Sequence, residues 1–519
     1  MNVNGHPGMP TACPATSSSV SCRKGVRVAI IGAGAVGVSV ADALARGDLL
    51  ERIALTVYEP RKAIGQGNAY GHDVSTALLN RQSEFMSVRH QDPRDFINWM
   101  SRQPDPAVRQ FARAGTFPPR TLFGEYAGDV FEDVVRRAPI PVEVITEAAI
   151  DISRNAGDLQ VSTRSACRAH DVAIICAGTP SPADPYRLAG HHSFIGDPYP
   201  LWSKLGSVKP RHRVVILGTG LTAVDVALEL LSRGHQGPVM MISRRGRLPS
   251  VRHPHRDCAP AVLTEEAIRR HASEGKLTLR AVFGLMRAEL TASGIDPAVL
   301  LREVDPGEPA QQRMERHLAL ARSGELWQPL LIKAANDLIE MIWQRWPGEE
   351  KKKFLEEYHD LFQSLCNPIP YPSAERLFEA MREGQLRVSA GIRDAKPAGD
   401  STVRIGTETG GFHADTVIDC TRGSISATPV SAAPLVRALI SHGYGVANPF
   451  GGLTIDPASN RLVSSCGVPV PDIFLLGHLA SGSLYYTNSL AMVTRRVDIV
   501  ADEVHKLRRT AVTGAGRRA

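Results

Sequence analysis

The chain lacks a close cysteine pair. Its eight cysteines stand at 13, 22, 167, 176, 258, 366, 420 and 466, and none forms a C-x-x-C or C-x-x-x-x-C motif. A disulfide reductase exchanges through two neighbouring thiols, so that activity is excluded. A chain of 519 residues needs no disulfide stapling, and scattered cysteines point to reduced thiols in a cytoplasmic protein. A membrane-spanning run is also missing. The least charged stretch, Val28 to Ala41, is bounded by Arg27 and Asp42 and broken by three glycines, whereas a span needs about 20 apolar residues. The first 25 residues are rich in Ser, Pro, Gly and Thr, with no basic residue before Arg23 and no apolar core. They read as a floppy tail, residues 1–24, and not as a secretory signal. Nor is there a strong charge imbalance: 60 Lys and Arg face 53 Asp and Glu, a formal net charge of +7 over the whole molecule. With 43% hydrophobic and 22% charged residues, a disordered or fibrous chain is excluded and a large core is possible. The length favours two or three folded units, one of which can interrupt another.

What is present begins with an apolar strand, Val26 to Ile31, running directly into Gly32-Ala33-Gly34-Ala35-Val36-Gly37 and a helix of small residues. In this strand, turn and helix, Gly32 permits the tight turn, Gly34 lets a pyrophosphate approach the backbone, and Gly37 lets the helix pack on the strand. The helix N-terminus then faces the phosphates. A second strand, Ile53 to Tyr58, ends in Glu59-Pro60, which places a carboxylate 22 residues beyond Gly37, suited to a ribose diol. The pattern recurs. Val214 to Leu217 leads into Gly218-Thr219-Gly220-Leu221-Thr222-Ala223, and the following strand, Val239 to Ile242, ends in Ser243-Arg244-Arg245 with no acid. Two guanidinium groups suit a 2′-phosphate, so the second site should prefer NADPH. Two such folds, one ending in Glu and the other in Arg, are most simply paired with FAD as resident cofactor and NADPH as visiting reductant.

These residues resemble the FAD/NAD(P)-binding proteins related to the flavin-dependent ornithine and lysine N-hydroxylase-like monooxygenases. The resemblance covers most of residues 26–505. It rests on the two glycine motifs, on Gly65-Gln-Gly-Asn-Ala-Tyr70 with Leu79-Asn80 and Met86-Ser87, and on Pro119-Arg-Thr-Leu-Phe-Gly-Glu-Tyr126. It continues through Ala177-Gly178, Ser243-Arg-Arg-Gly246 and Leu476-Gly477. It implies that the segment from Gly65 to Met86, with Asn80, wraps the FAD and that Ala177-Gly178 closes the first domain, with Gly477 also at the cofactor. Where relatives tend to have a glycine after the late strand Thr416 to Thr421, this chain inserts Arg422. That cation either approaches the flavin or substrate or lies on the surface.

The expected fold is α/β, with two Rossmann-like dinucleotide-binding domains. FAD-binding parts at 25–195 and 401–505 flank an NADPH-binding domain at 205–261 and 386–400. Residues 262–385 read as a helical insertion with a Trp346-Pro347 break, and 506–519 as a basic tail. Glu349/Lys353, Lys352/Glu356 and Lys353/Glu357, spaced i,i+4, read as a solvated helix face and not as a nucleic-acid patch. His253-Pro-His255-Arg-Asp-Cys258 has metal-like ligand types but no second half, so no metal is expected. The loop instead suits the nicotinamide or substrate entrance. Donors for the flavin edge lie in Gly477 to Asn488, ahead of a helix from about Ser489 towards Val504. Tyr486 and Asn488 are the catalytic candidates, and Tyr485 and Arg422 the substrate contacts; Asn488 serves equally as a helix cap and the tyrosines as packing. The expected activity is an FAD-dependent, NADPH-consuming monooxygenase acting on a small polar molecule with molecular oxygen, with N-hydroxylation of an amine through a C4a-hydroperoxyflavin as the expected reaction. An NADPH-dependent oxidase or dehydrogenase without oxygen insertion, and a low-turnover dinucleotide sensor, remain open. So does the oligomeric state; no nucleic-acid or membrane partner is expected.

Overall fold

The computed structural model describes residues 25–46, 53–178, 184–305, 307–399, 401–408, 410–421, 433–487 and 489–515. The N-terminal tail, Arg422, Asn488 and the last four residues lie outside them. Two parallel sheets organise the chain. The first has six strands in the order Arg461–Val463, Pro469–Leu475, Val172–Ile175, Val26–Ile31, Ile53–Tyr58 and Glu143–Ile145. All pairings are parallel except the one between the first two. Its central strands are apolar at every position from Val28 to Ile31 and from Val172 to Ile175, as a sheet covered on both faces requires. Helices Ala35–Leu44, Arg120–Arg137 and Leu490–Ala515 cover one face, where Phe96, Phe123, Tyr126 and Val497 join Val28 and Ile174 in a buried cluster.

The second sheet has five parallel strands in the order Leu386–Ser389, Val239–Ile242, Val214–Leu217, Thr416–Asp419 and Phe194–Ile195. This corrects two boundaries. The late strand Thr416–Asp419, expected with the FAD-binding part from 401, pairs with Val214–Leu217 instead. Phe194–Ile195, expected to close the first FAD-binding part, pairs with it in turn. The cause is burial: Val215, Leu217, Val417 and Leu188 share one apolar cluster, with Phe194 packed against it. The strands Ile392–Pro397, Val403–Thr407 and Gly410–Ala414 form a three-stranded antiparallel layer beside this sheet, and the chain returns to the first sheet only after Pro434–Ser441.

Between Glu265 and Arg382 the described residues form helices joined by short turns, without a strand. Trp346 ends the helix Trp327–Arg345 and Pro347 starts the next, Gly348–Lys353, as Pro at a helix start allows. That helix widens into a π-turn at Phe354–Tyr358. The extra residue per turn breaks the four-residue spacing of Lys352/Glu356 and Lys353/Glu357, so these solvated side chains form no ion pairs with each other in the structure. The terminal helix, expected to end near Val504 and give way to a tail at 506, continues to Ala515. Leu507 extends its apolar face beyond Val504 against the first core.

Candidate functional site

Both glycine motifs build the same device. The helix Ala35–Leu44 begins at Gly34 (φ −70°, ψ −172°) and the helix Leu221–Ser232 at Gly220 (φ −80°, ψ −173°), and neither has a side-chain cap. Their first-turn N–H groups are therefore left for a ligand, and the helix dipole favours an anion there. Gly32 has φ +95°, and a Cβ on it would lie 2.5 Å from the Cys176 carbonyl oxygen; Gly218 has φ +110°, with a Cβ position 2.9 Å from the Cys420 carbonyl oxygen. Only glycine fits either turn. Gly34 faces Gly67, its Cβ position 3.3 Å from the Gly67 Cα, whereas Gly220 faces open space.

Glu59 is buried, 4% exposed. One carboxylate oxygen accepts the Ala33 N–H at 2.9 Å and the other the Arg61 N–H at 3.1 Å. It thus holds the glycine turn, and each oxygen keeps a lone pair for a ribose hydroxyl. Pro60 is exposed beside it, and Ala177 and Gly178, which follow the strand Val172–Ile175, are exposed as well. Ala33 and Ala35 are buried and Val36 partly so, while Met86 packs into the first core.

At the second motif, the Thr219 hydroxyl donates to the Arg247 carbonyl at 2.6 Å and meets the Ser243 hydroxyl at 3.1 Å, which fixes the loop after the strand. Leu221 and Thr222, in the first turn, are partly exposed. The two arginines separate. Arg244 is 82% exposed, with Asp360 no nearer than 3.9 Å. Arg245 turns to the helical insertion, donating to Asp360 at 3.2 Å and to the Glu356 carbonyl at 2.7 Å. The two guanidinium groups expected at a phosphate therefore reduce to Arg244 unless Arg245 leaves these partners.

The sheets meet along a seam. Arg252 Nε donates to the Asn80 carbonyl at 3.0 Å, and Gln82 Nε2 to the His253 carbonyl at 3.4 Å. The segment after the second motif's arginines thus lies against the segment after the first motif. Burial lowers the His253 pKa to about 4, so its imidazole stays neutral near pH 7. The ring meets Trp327 edge-on with centroids 5.7 Å apart. Across the seam, Arg120 Nη2 contacts Asp225 Oδ2 at 2.5 Å, and Tyr199 donates to the same oxygen at 2.8 Å.

The two tyrosines also separate. Tyr485 has φ +64°, stacks on Trp343 with ring centroids 4.8 Å apart, and hydrogen-bonds His359 Nδ1 at 3.0 Å. It is walled in by Phe354 and Phe362, so its phenol ring serves the aromatic cluster. Tyr486 donates towards the Cys366 carbonyl and Asn367 Oδ1, both 3.3 Å away. With Gly477 and Thr487 it lines a small cavity. Burial pushes its phenol above the usual range. Arg81 and Arg252, both close enough to act on it electrostatically, are the residues that sequence reasoning missed. Neither belongs to a motif; only the fold joins 81, 252, 366 and 486.

The site thus defines an α/β protein with two dinucleotide cradles facing one seam. Residues 29–180 match the family model described as FAD-NAD(P)-binding. No curated protein matches the chain in sequence. Among solved structures, the ornithine N-hydroxylase of Kutzneria sp. 744 is similar at 15% identity, over 94% of this chain and 100% of that one, with a TM-score of 0.53. The ornithine hydroxylase of Pseudomonas aeruginosa matches at 13% identity over 93% and 99% of the two chains, TM-score 0.56. The L-lysine 6-monooxygenase of Pseudomonas syringae matches at 15% identity over 93% and 99%, TM-score 0.57. At these identities the likeness is one of fold.

Proposed function

We propose that this chain is an FAD-dependent, NADPH-consuming monooxygenase that hydroxylates a small polar substrate, with N-hydroxylation of an amine as the reaction. The observation that carries the reading is the seam. Arg252 to Asn80 and Gln82 to His253 bring the surroundings of the two cradles into direct contact, which a hydride relay between two dinucleotides requires. The fold shared over more than nine-tenths of the chain with ornithine and lysine hydroxylases supports oxygen transfer to nitrogen. When bound, FAD supplies the redox chemistry, taking hydride from NADPH and passing electrons to oxygen. The chain supplies placement. Gly32, Gly34 and Gly67 leave room for a pyrophosphate, the Ala35–Leu44 helix offers free amides, and Glu59 accepts from the ribose. Gly220 and Arg244 do the same for NADPH. The cluster of Trp343, Phe354, Phe362 and Tyr485 keeps water from one side of the seam.

Anaerobic mixing of the FAD-loaded protein with NADPH or NADH, followed by oxygen, tests this. Flavin bleaching within seconds, faster with NADPH, and an amine that suppresses peroxide release in favour of hydroxylated product are expected. Absence of reduction by either nucleotide would overturn the redox reading. Reduction with every electron recovered as peroxide, whatever amine is added, would make the protein an oxidase.

A further inference from the structure

Among the described residues, two arginines at the seam face no carboxylate. Arg252 is 8% exposed, and the hydrogen bond from its Nε goes to a neutral carbonyl, that of Asn80. Arg81 lies over the Phe85 ring, 5.8 Å from guanidinium carbon to centroid. The ionisable groups near enough to act on the pair are each other, Tyr486 and, at Arg252, Cys366. Among the described residues no carboxylate reaches either guanidinium. Elsewhere the fold treats enclosed arginines differently: Arg120 has Asp225, Arg89 has Asp42, Arg316 has Glu303, Arg313 has Glu308 and Arg496 has Glu340.

A buried cation without a counter-charge is costly, and two side by side are more so. Burial, and then the charge of Arg81, lower the Arg252 pKa to about 9, a measure of that cost. The dinucleotides have their own anion sites in the two uncapped helix starts and Arg244, so their phosphates do not require this pair. We infer that Arg81 and Arg252 form a two-armed clamp for an oxyanion group of the substrate, carboxylate or phosphate, beside the Tyr486 hydroxyl. This rests on the monooxygenase reading and narrows it: the substrate carries negative charge as well as the atom that is oxidised. A plain diamine would meet two cations and gain nothing. Because one arm follows the first glycine motif and the other the second, the bound anion also ties the two halves together.

The test is a titration of the FAD-loaded protein with acetate, succinate and inorganic phosphate, against chloride at matched ionic strength, read by thermal midpoint and calorimetry. Saturable stabilisation by at least one oxyanion beyond chloride is expected, and the ranking of carboxylates against phosphate names the group. Arg81→Gln and Arg252→Met should each weaken it on the order of ten-fold or more, while Arg252→Lys retains part. Arg81 is less enclosed than Arg252, so its variant tests the clamp even if Arg252→Met does not fold. The inference is overturned if no oxyanion binds saturably, if the variants bind as the wild type does, or if they lose FAD or NADPH affinity instead. Since the titration needs no turnover, its failure is distinct from a failure of flavin reduction.

Discussion

Replacing Asp225 with Asn tests whether one ion pair holds the two cradles in register. Arg120 starts the helix Arg120–Arg137 of the first sheet, and Asp225 lies in the helix Leu221–Ser232 of the second. Besides Asp225 at 2.5 Å, Arg120 reaches the Tyr199 hydroxyl at 3.1 Å and the Leu78 carbonyl at 3.2 Å. Burial is the largest single influence and lowers its pKa, but the Asp225 carboxylate together with the Tyr199 and Tyr70 phenols outweighs it, and the net shift is upward. Asn keeps the shape and removes the charge, leaving the guanidinium enclosed among neutral groups. Breaking a buried pair costs about 3–5 kcal/mol; with the Arg120 side chain 19% exposed, about 3 is expected. The assay is urea unfolding of the FAD-loaded protein, followed by flavin release and by far-ultraviolet circular dichroism, for Asp225→Asn, Arg120→Met and the double variant. The double variant should recover part of the loss, because it no longer carries an unpaired charge. A change under about 1 kcal/mol, or strict additivity, would refute the reasoning.

Glu59→Gln should weaken FAD retention about ten-fold, read by ultrafiltration of released flavin, because the Ala33 and Arg61 amides lose a charged acceptor. Arg244→Ala should raise the NADPH KM about ten-fold and leave the NADH KM unchanged. Arg245→Ala should instead lower thermal stability through the lost contacts to Asp360 and Glu356. Gly220→Ala should fold normally yet impair reduction by NADPH, since the new methyl group enters open space at the cradle. Gly218→Ala should fold poorly, its Cβ meeting the Cys420 carbonyl. Oxyanion binding should weaken as pH rises through about 9, where Arg252 loses its proton. Tyr486 and Cys366, both pushed up by burial, remain protonated there. The sign for folding is opposite: a base depressed from 12.5 to about 9 opposes folding while charged, so its penalty fades between those two values as pH increases.

The glycine motifs and their strands were legible because their signal is local: a positive φ or a close backbone approach fixes the residue type at one position. The helical insertion was legible by periodicity. The return boundary was not, because Thr416–Asp419 is a uniformly apolar strand that suits the centre of either parallel sheet, and only pairing with Val214–Leu217 decides between them. The division of labour between Arg244 and Arg245 was hidden for a related reason. Adjacent residues after a strand point apart, and which one meets Asp360 depends on an insertion more than a hundred residues later.

The insertion does more than cover the seam. Ile369 pairs with Val251, and the Arg252 N–H donates to the Ile369 carbonyl at 2.8 Å. Three residues earlier, the Cys366 carbonyl and Asn367 receive the Tyr486 hydroxyl. One short segment therefore sets both a cationic arm of the clamp and the phenol beside it, although neither belongs to the insertion. The prolines at 368, 370 and 372 restrict the backbone there, so the segment is a stiff template. Substitutions at Asn367 or Ile369 should thus alter oxyanion affinity without touching either dinucleotide cradle, whereas substitutions in the solvated 349–357 face should alter neither.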